Sequence, residues 1–296
     1  MASNDSLLES IQTSLSGLLG KTGRLEWVRD LSGGDINRAA LIRAGNTSWF
    51  LKYHRTAPDG MFAAEAQALT EIAEQECIRV PTPIAHGGDG DTSWLVLEYL
   101  DLTSNGPASL LGEQLAALHG VTAGQHGWRH NNFIGSTPQC NTRCDDWMIF
   151  WRDYRLALQL KMAKVNGHSG LLQRKGERLL ENLDQIMADH QPVASLLHGD
   201  LWAGNKAFTP GGQPVIFDPA SYYGDRETDI AMTELFGGFG PSFYSAYREH
   251  SPLPDGYRLR RELYNLYHML NHLNLFGSVY LSRCENFIDN LLAQVR

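Results

Sequence analysis

The stretch HGDLWAGN, residues 198–205, follows a short apolar run at 195–197 and places Asp200 five positions before Asn205. Phosphoryl transfer to an alcohol needs a carboxylate that orients the hydroxyl and accepts its proton. It also needs oxygen ligands for the metal ion that neutralises the phosphates. One short loop with these two side chains can supply both functions. Taken alone, the same letters are also typical of an ordinary surface loop.

A second apolar run, 214–217, ends at Asp218 after the turn residues 209–212. This pattern predicts a strand whose last position carries another carboxylate, which is where a second metal ligand is needed. A strand-ending turn residue is the plainer interpretation of Asp218. The combination of apolar strand, polar loop, hairpin and aspartate-ending strand favours a kinase over a chance arrangement.

The first hundred residues are predicted to be rich in strands. The runs 39–42 and 48–53 are strand-like, and the turn residues Gly45 and Asn46 between them predict a hairpin. Residues 61–76 are predicted to form a helix, because apolar side chains recur at helical spacing at positions 62, 66, 69 and 72.

Lys52 lies in the second of these strands, and Glu65 lies on the helix that follows. An ion pair between them would hold the lysine against the α- and β-phosphates of a nucleotide. A solvated lysine at a sheet edge and an exposed glutamate on an amphipathic helix remain the alternatives.

A glycine-containing turn at 31–37, with Gly33 and Gly34, precedes the strand pair. Backbone amides of such a turn can approach phosphates closely because glycine lacks a Cβ. The two adjacent glycines do not match G-x-G-x-x-G, and they would serve equally well as a hairpin turn.

The strand 93–99 leads into a connector that contains Glu98 and Leu100. In a two-lobed kinase this connector borders the adenine, whose edge is bound by main-chain groups, so the side chains there are weakly informative. From residue 104 onward the pattern changes to helices. We therefore predict an α+β protein with an antiparallel-sheet lobe and one helix at 1–100, and a mostly helical lobe at 101–296.

Composition narrows the class of partner. The net charge of −8 argues against nucleic acid or an anionic membrane as partner, and no run approaches 18 apolar residues. Residues 1–10 lack the basic stretch and apolar run of a secretory signal, and four cysteines are too few for a disulfide scaffold. We expect a cytoplasmic protein, with its oligomeric state left open.

These motifs resemble the fructosamine kinase, or ketosamine-3-kinase, family, whose relatives are the aminoglycoside and choline kinases. The resemblance is carried along most of the chain, by residues 115–119, 132–139, 146–152, 198–205 and 217–232. It implies a bilobal protein-kinase-like fold that uses ATP and Mg²⁺. It also implies transfer of the γ-phosphoryl group to the 3-hydroxyl of a ketosamine, either a small molecule or a glycated protein.

The resemblance also implies roles for particular residues. Asp200 would be the base, and Asn205 and Asp218 would be the magnesium ligands. Lys52, paired with Glu65, would hold the phosphates. Kinases for aminoglycosides, choline or other sugars, and a pseudokinase without turnover, are the competing hypotheses; the presence of these residues argues against the pseudokinase.

Further residues are placed by the same resemblance. Asp229 would brace the catalytic loop through hydrogen bonds. Trp202, His119 and Trp151 are expected on the sugar side of the site, with core packing as the alternative for each aromatic.

The chain departs from the family pattern at two positions near the expected acceptor. Arg143 stands in place of a usual tryptophan, and Asn131 in place of a common aspartate. These departures concern the identity of the acceptor. Some relatives carry a redox-active cysteine in the glycine-rich turn; Asp35 lies in that region here, so no such switch is expected.

Overall fold

The computed structural model of the chain describes residues 4–19, 24–31, 36–187 and 190–295. Contacts divide the chain into two compact units. The first comprises Met1–Gly106 and Ala207–Asp218, and the second comprises Pro107–Lys206 and Pro219–Arg296.

The described elements up to residue 106 include both helices and strands. In chain order they are α1 (Asn4–Ser14), α2 (Ser16–Leu19), β1 (Glu26–Leu31), β2 (Arg38–Ala44), β3 (Thr47–Arg55), α3 (Met61–Glu74), β4 (Pro83–Asp89) and β5 (Thr92–Glu98). The strands form one antiparallel sheet in the order β1-β2-β3-β5-β4.

The elements after residue 106 are mostly helical. The helices are α4 (Ala108–His119), α5 (Trp147–Trp151), α6 (Ala157–Val165), α7 (Leu171–Glu181), α8 (Leu183–Met187), α9 (Glu227–Leu235), α10 (Pro241–His250), α11 (Tyr257–Phe276) and α12 (Leu281–Leu292). The strands are β6 (Thr122–Ala123), β7 (Asn132–Ile134), β8 (Thr137–Gln139), β9 (Ala194–Leu196), β10 (Lys206–Phe208), β11 (Pro214–Ile216) and β12 (Tyr223–Gly224). A π-helical turn, Arg152–Leu156, joins α5 to α6, and 3₁₀ turns span Ala203–Asn205 and Ser278–Tyr280.

The predicted hairpin is formed by β2 and β3, with Ala44 opposite Thr47. Gly45, at the turn, has a φ of +58°, a left-handed conformation that glycine adopts without steric cost. β3 is a central strand, because it also pairs with β5 along its other edge. This position carries Lys52 into the middle of the sheet, where it is 4% exposed.

The predicted helix at 61–76 is α3, which ends two residues earlier, at Glu74. Such a difference lies within the usual uncertainty of helix ends, and the chain turns at Glu76 with a φ of +55°. The buried face of α3 includes Phe62, Leu69 and Ile72, as the spacing predicted.

The prediction of one helix in the first hundred residues was incomplete, because α1 and α2 precede the sheet. Leu7 and Ile11 of α1, followed by Leu15, belong to one buried cluster with sheet residues such as Ile42 and Trp94. Three apolar side chains spaced by four give a weak sequence signal in a short polar segment. Packing on the sheet, rather than helix propensity, accounts for this helix.

The hairpin β10–β11 groups with the first unit, although the sequence assigned it to the second lobe. Its main chain forms bridges from Val215 to Arg79 and from Phe208 to Thr103. The predicted lobe boundary near residue 100 stays a prediction, and the contact-based division differs from it at this hairpin.

The long helix α11 of the second unit is largely buried, with an apolar stripe that includes Leu263, Leu266, Leu270 and Leu273. β9, which leads into the HGDLWAGN loop, lies between β12 and β6 in a three-stranded sheet. Within the described ranges, no helix has the length and apolar character needed to cross a membrane.

We predict that Ile11→Ala destabilises the first unit by about 2–5 kcal/mol, because it removes a fully buried side chain from the cluster between α1 and the sheet. Urea unfolding followed by circular dichroism measures the change. Thr13→Ala, on the exposed face of the same helix, should change stability by less than about 0.5 kcal/mol. Equal losses in the two variants would show that α1 does not pack as described.

Candidate active site

Lys52 and Glu65 form the ion pair that the sequence predicted. The Lys52 Nζ lies 2.7 Å from the Glu65 Oε1, and the two side chains are 5% and 11% exposed. β3 supplies the lysine and α3 supplies the glutamate, so two regular elements fix the pair. Its role towards phosphates stays a prediction.

Asp218 is the second partner of the same lysine, at 2.9 Å from its Nζ. Burial alone would lower the pKa of Lys52, but the charges of Asp218 and Glu65 raise it above its ordinary value. Burial also raises the pKa of Glu65 to about 6, against the opposing effect of Lys52 and with a further rise from Asp218. Lys52 is thus held as a fixed ammonium group.

Asp218 itself has an unusual backbone, with a φ of +58°. A non-glycine residue in this region carries strain of order 1–3 kcal/mol, and such residues cluster at functional sites. Its side chain is 39% exposed, so its carboxylate combines the lysine contact with access to solvent.

The HGDLWAGN loop folds back on itself through Asn205. The Asn205 Nδ2 donates a hydrogen bond of 2.8 Å to the main-chain oxygen of Asp200, and Asn205 is 6% exposed. Because the amide nitrogen is used in the loop, Oδ1 is the Asn205 atom that can ligate a cation. Amide and carboxylate oxygens such as those of Asn205 and Asp218 are ligands that fit Mg²⁺.

Asp229, in the first turn of α9, holds the start of this loop, as expected. Its carboxylate accepts hydrogen bonds from the backbone N–H of His198 at 2.7 Å and of Gly199 at 2.8 Å. Burial alone would raise the pKa of Asp229, but the hydrogen bond and charge of His119, together with His198 and the Gly199 amide, lower it below its ordinary value. The loop is therefore anchored by an ionised carboxylate.

Gly199 meets a strict steric requirement in the loop. Its φ is +84°, and a Cβ at this position would lie 2.2 Å from the main-chain oxygen of Ala220. Close approach of the two backbones thus excludes every residue with a side chain.

His119 is a buried residue, which agrees with the alternative of core packing. It is 2% exposed, and its ring lies between Asp229 Oδ2, at 3.2 Å from Nε2, and the Tyr247 hydroxyl, at 2.8 Å from Nδ1. The side chain therefore supports Asp229 from the end of α4.

Trp151 is a core residue, with no exposed surface and a ring centroid 4.8 Å from that of Tyr264. The alternative of core packing is thus the correct one. Trp202 differs, being 38% exposed and edge-on to Phe236 at 6.3 Å. Its ring also covers Gly204, where a Cβ would lie 2.3 Å from it. Its role on the sugar side stays a prediction.

The remaining predicted nucleotide contacts, at Glu98, Leu100, Gly33 and Gly34, stay predictions. The Glu98 carboxylate is bound by Arg79 and by the Thr82 hydroxyl at 3.1 Å, so this side chain has a structural role. Leu100 is partly exposed. Gly33 and Gly34 lie outside the described residues.

Asn131, one of the two positions at which the chain departs from the family pattern, forms a hydrogen bond within its own loop region. Its Oδ1 accepts a hydrogen bond of 2.9 Å from the backbone N–H of Asn141. A carboxylate oxygen of an aspartate could accept the same bond, so this contact survives the exchange. The Arg143 side chain is exposed.

Sequence reasoning missed a set of buried charges beside Asp229. The Asp225 carboxylate accepts from the Tyr264 hydroxyl at 2.5 Å and lies 2.7 Å from His190 Nε2. Glu227 is paired with Arg260 through two bonds of 2.7 Å. The signal that could have revealed them is the run of three acids at 225, 227 and 229 immediately before the apolar residues 230–232.

Comparisons with known proteins give a consistent result. A family model described as fructosamine kinase matches residues 7–294. A probable ketoamine kinase of Synechocystis sp. is 41% identical over 292 residues, with 96% of each chain covered. The chloroplastic protein-ribulosamine 3-kinase of Arabidopsis thaliana is 39% identical over 285 residues, covering 94% of this chain and 86% of that protein.

The structural comparison agrees. The crystal structure of a candidate fructosamine-3-kinase from Haemophilus somnus 129PT is 28% identical and superposes with a TM-score of 0.87, covering 95% of this chain and 96% of that chain. This likeness confirms the predicted α+β fold of the protein-kinase-like class.

We predict that Asp229→Asn destabilises the protein by about 1–3 kcal/mol and lowers turnover, because an amide can accept from only one of the two N–H groups and presents an NH₂ to the other. Urea unfolding and an ATP-consumption assay measure the two effects. Asp153→Asn, at a carboxylate 44% exposed and paired only at the surface, should change stability by less than about 1 kcal/mol. Wild-type stability of Asp229→Asn would contradict the assigned anchoring role.

Proposed function

The chain belongs to the fructosamine kinase family, and we propose that it transfers the γ-phosphoryl group of ATP to the 3-hydroxyl of a ketosamine, the sugar adduct that glycation forms on amines. The observation that carries the proposal is the HGDLWAGN loop, whose start is anchored by Asp229 and whose end is closed by Asn205. This loop occurs in a chain that matches the family over residues 7–294.

In the proposed reaction, Asp200 orients the acceptor hydroxyl and takes its proton. The hydroxyl oxygen forms a bond to the γ-phosphorus, while the bond from that phosphorus to the β–γ bridging oxygen breaks and ADP leaves. The proton resides on the Asp200 carboxylate until it passes to solvent. The Asp200 side chain is half-buried, which supports a role at a site that small molecules reach.

Lys52 has the properties that a phosphate-binding cation requires. It is charged, it is fixed by Glu65, and it lies in a protein of net charge −8 that must provide its own local cations. Mg²⁺, when bound, neutralises charge on the phosphates. We assign Asn205 Oδ1 and the Asp218 carboxylate as its protein ligands, since both are hard oxygen donors.

The acceptor is proposed from the names of the relatives, which denote kinases of ketoamines, of protein-bound ribulosamine and of fructosamine at position 3. Both free and protein-bound adducts fit this description. The proposed role is therefore deglycation, a repair function on metabolites or proteins.

We predict that ATP turnover is stimulated by fructosyl- and ribulosyl-lysine and not by an aminoglycoside or choline. A coupled ADP assay over this panel gives kcat/KM, and ³¹P nuclear magnetic resonance identifies the modified hydroxyl. A higher kcat/KM for the aminoglycoside or for choline would replace the proposed acceptor. If none of these compounds stimulates ATP turnover, the pseudokinase hypothesis is favoured.

We predict that Asp200→Ala and Asp218→Ala separate two functions. Asp200→Ala should lower kcat by about 10²–10⁴-fold and leave the affinity for Mg²⁺–ATP within twofold, because the carboxylate serves the acceptor. Asp218→Ala should instead raise the Mg²⁺ concentration needed for half-maximal activity. Near-normal kcat in the first variant, or an unchanged magnesium requirement in the second, would refute the corresponding role.

A further inference from the structure

Three buried amide side chains lie together beside the active-site loop. Asn132 and Gln139 are paired residues of the hairpin β7–β8, and Asn141 follows it. They are 3%, 2% and 1% exposed, respectively. We call these three residues the amide cluster.

The amide cluster is connected internally through Asn132. The Oδ1 of Asn132 accepts hydrogen bonds from Gln139 Nε2 at 2.9 Å and from Asn141 Nδ2 at 2.7 Å. Buried polar groups of this kind stabilise a structure only when their donors and acceptors are satisfied together. The cluster therefore behaves as one unit, and a change in one amide affects the others.

Outside itself, the cluster donates to the main-chain oxygen of His130, from Asn141 Nδ2 at 3.0 Å, and to two adjacent carbonyl groups. Asn132 Nδ2 donates to the oxygen of Ser221 at 2.8 Å, and Gln139 Nε2 donates to the oxygen of Ala220 at 3.0 Å. These carbonyls follow Asp218 in the chain by only two and three residues. Side-chain donors thus take the place that a neighbouring strand would have.

The same segment is bound from its other side by the catalytic loop and its strand. The Ala220 N–H donates to the oxygen of His198 at 2.8 Å, and the oxygen of Tyr222 accepts from the Leu197 N–H at 3.0 Å. Residues 220–222 therefore lie between the amide cluster and the residues that lead to Asp200.

Two further side chains determine which way the amides point. The Tyr267 hydroxyl donates to Gln139 Oε1 at 2.7 Å, and Arg155 Nη2 donates to Asn141 Oδ1 at 2.8 Å. Arg155 has only donors, so its contact requires the oxygen of Asn141 and leaves the Asn141 NH₂ to donate to Asn132 Oδ1. The NH₂ of Asn132 is then left to face the carbonyl of Ser221. Arg155 is itself fully buried, with its guanidinium carbon 4.1 Å from the centre of the Tyr222 ring.

We propose that Gln139 and Asn132 are positioning residues for phosphoryl transfer. They fix the main chain at 220–221, and through it the start of the catalytic loop at His198. The proposal rests on the proposed function for its reaction. It adds that the geometry of the reacting groups depends on side-chain donors that contact neither nucleotide nor acceptor.

The test compares Gln139→Met with a matched control, Gln173→Met. Gln173 Nε2 also donates to two main-chain carbonyls, at 3.0 Å and 2.9 Å, but these lie in and just after α6, at Leu160 and His168. Both variants exchange a glutamine for an apolar side chain of similar length. Only the first leaves the carbonyl of Ala220 without its donor.

We expect Gln139→Met to lower kcat by about 10–100-fold, the range found when a group that orients a ligand residue is lost. The KM for the acceptor should change by less than twofold, and Gln173→Met should keep wild-type kcat within twofold. Turnover is measured with fructosyl-lysine and as Mg²⁺-dependent ATP hydrolysis without acceptor. Mn²⁺ affinity with bound nucleotide, measured by electron paramagnetic resonance, should weaken only in Gln139→Met.

Tyr267→Phe is the second variant, since it removes one hydroxyl, keeps the ring and keeps Gln139 in place. It should give an intermediate loss of kcat. If Gln139→Met does not fold, Tyr267→Phe takes its place in the comparison with Gln173→Met. Equal losses in Gln139→Met and Gln173→Met at matched folded fraction, or wild-type kcat and Mn²⁺ affinity in both cluster variants, would overturn the proposal. If the wild-type protein hydrolyses ATP but does not phosphorylate ketosamines, the proposed acceptor is wrong. The positioning role is then still decided by the rate of ATP hydrolysis and by the Mn²⁺ affinity of the variants.

Discussion

The HGDLWAGN loop depends on one buried carboxylate, because Asp229 accepts hydrogen bonds from the backbone N–H groups of both His198 and Gly199. A buried N–H without a partner costs about 1–3 kcal/mol, so the loop could not keep this path without an acceptor. The carboxylate lies in the first turn of α9, where the helix dipole favours negative charge. Asp225 and Glu227 lie beside it and contact Tyr264 and Arg260 of α11. The N-terminus of α9 is thus the place where helix, loop and core are joined.

In the first unit, the comparable constraint is a buried cation. Lys52 is surrounded by two carboxylates, and their attraction outweighs the desolvation that would otherwise favour the neutral amine. Removing one partner of such a group leaves a buried charge uncompensated, which is why these residues act as a set. The left-handed backbone of Asp218 adds strain at the same point.

The parts of the site that could be predicted from sequence are those encoded by local periodicity. The apolar run around Lys52 predicted β3 and the helical spacing predicted α3, and the arrangement that a kinase needs then suggested the pairing of Lys52 with Glu65. His119 and Trp151 could not be placed correctly, because a buried aromatic and one that lines a site have the same spacing on a helix. The amide cluster was not predicted, since its meaning depends on contacts with Ala220 and Ser221 more than eighty residues away. Helix α1 was missed for the same reason, because the sheet residues that it covers, such as Ile42 and Trp94, are distant in sequence.

The many buried polar side chains around residues 198–205 and 219–222 follow from the irregular path of the backbone there. Residues 198–205 and 219–222 are mostly not in regular strands, so their buried N–H and C=O groups must find other partners. The N–H groups of His198 and Gly199 meet a carboxylate, whereas the carbonyls of Ala220 and Ser221 meet amide NH₂ groups. The two solutions are not interchangeable: an ionised carboxylate at position 139 would have no proton to donate and would face the partial negative charge of the Ala220 oxygen. An apolar core would pack as densely but would leave both kinds of backbone group unsatisfied. An irregular loop of this kind therefore requires side-chain acceptors where its N–H groups are buried and side-chain donors where its C=O groups are buried.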